Sequence, residues 1–211
     1  MRPSHDTFPV DQFNRIHKDE LHHDDFSWLL SNLTQFWSFL PSDSLETLAE
    51  FGFYSYLYDG RIRVVALNTQ FGDPINMYTL LGENQKMQQW NWLIETLSKS
   101  EANGEKVILI GHIPPGRMGL LNEKGSCYAD DYFIITERFK DTIIAHLYGH
   151  THNDEFEMLN YNDTRQLIYI SPALTPGGNN PTFRVYHFQN DTIVDYVQYY
   201  TNLSQANENN L

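Results

Sequence analysis

One cysteine, Cys127, stands in the 211 residues. Its solitude excludes an intrachain disulfide and a thiolate metal cluster, and it reads as a free thiol in a loop. Basic residues are few: 14 Lys and Arg face 27 Asp and Glu, for a net charge of −13. That balance repels polyanions at long range, so a nucleic-acid polymer is not an expected partner. A small anionic substrate stays open, because a bound metal dominates its local field. No run approaches about eighteen uninterrupted apolar residues, so no transmembrane segment is encoded. The opening Met1-Arg2-Pro3-Ser4-His5 lacks the apolar stretch of a signal peptide. Against that, Asn-x-Ser/Thr acceptor sequences at Asn32, Asn162, Asn190 and Asn202 hint at secretion. There is no internal repeat and no low-complexity segment. The length suits one domain with a sizeable core and leaves the oligomeric state unread.

Within these bounds the pattern is α/β. Residues 24–40 predict a helix capped by Asp24 or Asp25, with Phe26, Leu29, Leu30, Leu33, Phe36 and Trp37 as an apolar stripe and Pro41 past its end. The aromatic residues of that stripe read as core. A shorter helix over 44–50 is stopped by Gly52. Residues 53–58 and 61–68 flank Asp59-Gly60 and predict a β-hairpin with a two-residue turn. A second long helix is expected over 84–98, where Met87, Trp90, Leu93, Ile94 and Leu97 fall at helical spacing. Asp130 or Asp131 caps a third, reaching Phe139. The runs 106–110 and 142–148 read as core strands, and His146 inside the second as a structural histidine. After residue 155 come strands over 155–161 and 166–171, then a hairpin of 182–189 and 192–200 about Asn190-Asp191.

Chemistry gathers at two places where a strand runs into Gly-His. One is Gly111-His112-Ile113-Pro114-Pro115-Gly116, whose prolines force an irregular loop. The other is Gly149-His150-Thr151-His152-Asn153-Asp154-Glu155-Phe156. In an extended backbone residues i and i+2 share a face, which would aim His150 and His152 into one space. Neutral imidazole is a common zinc ligand. Two strands each delivering Gly-His at their C-terminal edge suggest one shared site, since open α/β sheets bind ligands there.

This pair of motifs resembles the calcineurin-like metallophosphoesterases, and within them the acid sphingomyelinase-like phosphodiesterase branch. Leu67-Asn68-Thr69-Gln70 and the tail 202–207 are similar to family segments too. The resemblance implies a four-layer sandwich of mixed sheets flanked by helices, with its N-terminal part missing, so that residues 1–211 form a single, incomplete catalytic domain, its second half. It implies two zinc ions bridged by an aspartate, clamping a phosphodiester for in-line attack by water. Carried over by position, His112 and His150 ligate one metal and His152 the other, while His5 is the catalytic histidine with Asp6 the carboxylate beside it. Ser4 falls where the family has a ligating asparagine, and a serine hydroxyl is a poorer ligand. The family's Asp-x-His block is absent from the sequence, and Gly72-Asp73 lies out of order for the bridging aspartate. At most one zinc is therefore expected to be held well. The resemblance further implies a small phosphodiester substrate, a lipid head group or a nucleotide, and a secreted or lysosomal-like location. Against hydrolysis by this chain stands a second reading, a non-catalytic remnant or binding module. A third, an unrelated single-metal or metal-free α/β domain, fits the paired motifs poorly.

Overall fold

The computed structural model describes residues 7, 12–13, 26–73, 75–78, 84–116, 127–161, 164–175 and 178–208. His5 and Asp6, with Ser4, Asp24 and Asp25, lie outside the described residues.

Six strands form the main sheet: β1 (Tyr54–Leu57), β2 (Ile62–Ala66), β3 (Lys106–Ile110), β4 (Ile143–Tyr148), β5 (Glu155–Tyr161) and β6 (Thr164–Ile170). Their order is β1-β2-β3-β4-β6-β5. β2, β3, β4 and β6 run parallel, and β1 and β5 close the two sides antiparallel. The parallel strands therefore bring their C-terminal ends to one edge. The ladder continues past them: Leu67 N donates to Ile110 O at 2.9 Å, Gly111 N to Leu147 O at 3.1 Å and Ser171 N to Tyr148 O at 2.8 Å. Both Gly-His turns grow from that edge.

One face of the sheet is covered by helices α3 (Asn84–Ala102) and α4 (Cys127–Arg138). Trp90, Leu93, Leu97, Tyr132 and Ile135 meet Val65, Val107, Leu109, Ile168 and Ile170 in the core. Leu93, Leu97, Val107 and Leu109 are wholly buried. On the other face sits the two-stranded ribbon of β7 (Thr182–Gln189) and β8 (Thr192–Tyr200), with Tyr186 and Tyr196 packed edge-on against Tyr169 of β6 at 5.6 and 6.5 Å. Helices α1 (Ser27–Phe36) and α2 (Ser42–Phe51) precede the sheet, and α5 (Leu203–Glu208) follows the ribbon. The mixed sheet flanked by helices is the α/β class expected.

Several local expectations need correction. α1 stops at Phe36, which is 75% exposed, while Trp37 turns back and packs edge-on against Tyr54 at 6.0 Å. The apolar stripe of α1 thus ends at Leu33, short of Phe36. In α3, Met87 and Ile94 face solvent and Gln89 takes a buried place, accepting from Asn68 N at 2.8 Å and donating to Tyr128 Oη at 3.2 Å. Those two bonds offset the cost of burying an amide. The Asp59-Gly60 turn is wider than two residues: Tyr58 N donates to Ile62 O at 2.8 Å. Asp59 Oδ1 accepts from Arg61 N at 3.0 Å and Ile62 N at 2.8 Å, an Asx turn that sets the loop length. Cys127 opens α4 rather than lying in a loop. Asn190 and Asp191, with φ of 48° and 63°, make the tight hairpin turn expected of them.

Candidate metal centre at the sheet edge

Gly111 leads into the first turn because nothing larger fits. A Cβ there would lie 2.5 Å from Tyr148 Cε1 and 2.9 Å from Thr69 Cγ2. The backbone then turns into His112 and Ile113, whose N donates to Thr69 Oγ1 at 3.0 Å. His112 is buried, and its carbonyl accepts from Gly149 N at 3.1 Å, which ties the two Gly-His turns together. Gly149 is under no comparable constraint, its nearest neighbour being Ser171 O at 3.9 Å.

The second turn is not extended. His150 and His152 have φ of 78° and 65°, in the left-handed region. The same-face argument for alternate residues of a strand therefore does not apply, and the geometry of a strained turn brings His150 to His112 instead. His150 Nδ1 lies 3.3 Å from His112 Nε2, the rings nearly perpendicular at 86° with centroids 5.1 Å apart. His152 lines the same cleft. Among the described residues no group of three or more His, Cys, Asp and Glu side chains is placed to hold a metal ion. The structure thus brings His112 and His150 into contact and places His152 in the same cleft.

The donor set can be tested against a metal. Two nitrogens bound to one tetrahedral zinc at about 2.0–2.1 Å stand roughly 3.3–3.4 Å apart. The His112–His150 separation of 3.3 Å matches that edge. The same distance is within hydrogen-bond reach, with donor and acceptor set by the tautomers of the two rings.

The cleft around the pair encloses about 590 Å³. Its wall includes Trp37 and Tyr54, Ile110 and Leu147 from the strand ends, and Leu174 from the loop after β6. Among the described residues that line it there is no Asp, Glu, Lys or Arg. Its place in the helical stripe marks Trp37 as core. A stripe position one residue past a helix end carries no mark of its new role, because the helix length decides it.

His146 behaves as the structural histidine expected. It is buried in β4, and Tyr132 Oη stands 2.6 Å from its Nδ1. Burial lowers its pKa from 6.5 to about 4. Tyr148 Oη donates to Tyr132 Oη at 3.1 Å, so a Tyr-Tyr-His chain runs behind the cleft. Burial raises both tyrosines well above their ordinary value.

Residues 5–154 match the family described as Calcineurin-like phosphoesterase. Sphingomyelin phosphodiesterase A of Dictyostelium discoideum is 37% identical over 215 residues, which cover 97% of this chain and 35% of that protein. Sphingomyelin phosphodiesterase of Homo sapiens is 31% identical over 216 residues, with 97% and 33% covered. Cyclic GMP-AMP phosphodiesterase SMPDL3A of Mus musculus is 30% identical over 221 residues, with 97% and 47% covered. The chain spans between a third and a half of the length of these relatives. With both Gly-His turns inside or bordering the matched span and sphingomyelin phosphodiesterases among its relatives, the chain belongs to the calcineurin-like phosphoesterases, in their acid sphingomyelinase-like branch.

Proposed function

We propose that this chain contributes His112, His150 and His152 to a centre for metal-dependent phosphodiester hydrolysis. The observation that carries the reading is the His112–His150 contact of 3.3 Å at the C-terminal edge of a parallel sheet, inside a cleft. Family membership implies a divalent metal, and borderline imidazole donors favour zinc. Zinc bound there would supply Lewis acidity toward a phosphoryl oxygen. The protein's own part is to hold the imidazoles and to shape the cleft. Its aromatic and apolar wall suits the body of a small phosphodiester whose charged group faces the histidines. A lipid head group and a nucleotide both meet that description, as the names of the relatives do. His5 and Asp6 complete the proposal as proton donor and neighbouring carboxylate. Asn32, Asn190 and Asn202 are exposed, as glycan acceptors must be, which supports a secreted or lysosomal-like location.

The second reading, a non-catalytic remnant or binding module, is favoured by one further observation. No carboxylate joins the histidines among the described residues. Two dications need such groups to offset their charge. The donors on hand resemble a mononuclear centre with an open position. The deciding experiment is hydrolysis of bis-p-nitrophenyl phosphate with zinc, beside a zinc titration, for the chain and for a His150→Ala, His152→Ala double variant. The expected result is zinc binding lost in the double variant, with no turnover by either protein above the other. Zinc-dependent turnover lost in the double variant would show that the histidines suffice for catalysis. Equal zinc binding by the two proteins would remove the metal site.

A further inference from the structure

His150 and His152 sit in a backbone region where Cβ crowds the chain, and neither is glycine or asparagine. Residues held this way persist only when their surroundings over-determine them. Within the turn, Thr151 N donates to Gly149 O at 3.0 Å, a contact that moves with the loop and cannot hold it against the rest of the fold. From outside, the front of the turn is tied to the first Gly-His turn by Gly149 N donating to His112 O and by the His150–His112 contact, and its far end is held from two further places. Asn179 Nδ2 donates to His152 O at 3.0 Å and to Asn153 Oδ1 at 3.1 Å. Two residues past His152, Asp154 Oδ1 accepts from Arg184 Nη2 at 2.5 Å.

Arg184 is no ordinary surface cation. Its side chain is 1% exposed. Its Nε and Nη2 donate to Gln198 Oε1 at 3.2 and 2.8 Å, and Nη1 donates to Tyr186 Oη at 3.3 Å. Its guanidinium carbon lies 4.2 Å from the centroid of the Tyr196 ring. The ribbon thus presents a fixed, planar donor to the end of the histidine turn, and a fixed fork loses little freedom on pairing. Neither Asn179, Asp154 nor Arg184 lines the cleft.

We propose that Asn179 and the Arg184–Asp154 pair are positioning residues that hold the His150-Thr151-His152 turn in its left-handed conformation. They act on the site through the histidines. The consequence for metal binding rests on the proposed function above, whereas the clamp is a property of the metal-free protein. The two are therefore separable by experiment.

The test uses the full chain carrying Asn179→Ala, Asn179→Asp or Asp154→Asn, with His150→Ala as the control for metal binding. Asn179→Asp keeps the side chain's shape and replaces the donor facing His152 O with an acceptor. Asp154→Asn keeps the shape and removes the charge. Amide hydrogen exchange of residues 149–154 is read without metal, and cobalt(II) affinity is read by its absorption. The expected result is at least tenfold faster exchange confined to that turn in all three variants. With it should come about tenfold weaker cobalt binding at unchanged stoichiometry, the scale at which partners behind metal ligands act. A filler role for Asn179 would leave Asn179→Asp like the parent and overturns the proposal. So does unchanged exchange at the turn, or faster exchange spread evenly through β7 and β8. If the parent chain binds no cobalt, the metal reading falls and the exchange rates alone decide the clamp.

Discussion

Acid should weaken this fold through one residue, His146. Its ring is buried in β4, and its Nδ1 faces the Tyr132 hydroxyl at 2.6 Å. With Tyr148 donating to Tyr132, the Tyr132 proton is available to a bare Nδ1 of the neutral ring. Burial disfavours the charged ring and lowers its pKa from 6.5 to about 4. The unfolded chain takes up a proton on this histidine below about pH 6.5, and the native chain refuses it until about pH 4. Stability from this group is therefore complete above pH 6.5 and is lost as the pH falls toward 4. At about 1.4 kcal/mol per pH unit, roughly 2 kcal/mol is gone by pH 5 and about 3 kcal/mol by pH 4. Against a total of about 5–15 kcal/mol for a domain, that loss is large. Carboxylates titrate over the same interval, so the assay is a comparison: urea unfolding of the parent and of His146→Leu from pH 7 to pH 4. The gap between the two curves should move by about 3 kcal/mol, the parent losing more. Parallel curves would refute the reasoning.

Other substitutions test the packing and the turns. Leu93→Ala removes a wholly buried side chain beneath the sheet and should cost about 2–5 kcal/mol in chemical denaturation. Gly111→Ala would force a methyl against Tyr148 and Thr69, costing about 1–3 kcal/mol and displacing His112. Gly149→Ala meets nothing closer than 3.9 Å and should leave the melting temperature within about a degree or two of the parent, which makes it the matched control.

The strands were legible in the sequence because their burial follows simple rules. Residues 107–110 and 143–148 are mostly apolar runs with one face buried and the other half-buried, and 182–189 alternates about a half-exposed ribbon. His146 was legible as structural for the same reason, since it lies inside a core strand away from the strand ends that carry the Gly-His turns. α3 was legible in position, and Trp90, Leu93 and Leu97 face the core as their spacing predicts, while Met87 and Ile94 do not. Gln89 is buried for the sake of two hydrogen bonds, and no periodicity distinguishes it from a surface glutamine. At the site, the paired Gly-His motifs disclosed which strand ends meet. They did not disclose the left-handed backbone of His150 and His152, a turn that Asn179 contacts at His152 and Arg184 at Asp154 from some thirty residues away. Trp37 reads as core in the stripe, and a helix one turn shorter than its pattern moves it to the cleft wall.

The central claim is that His112 and His150 form the metal-binding edge of this cleft. It is tested most directly by isothermal titration of zinc into the full chain and into His112→Ala and His150→Ala. The account predicts one zinc per chain for the parent, and at least a hundredfold loss of affinity in each variant, as expected when one of few ligands is removed. Zinc bound with equal affinity and stoichiometry by all three proteins would contradict it.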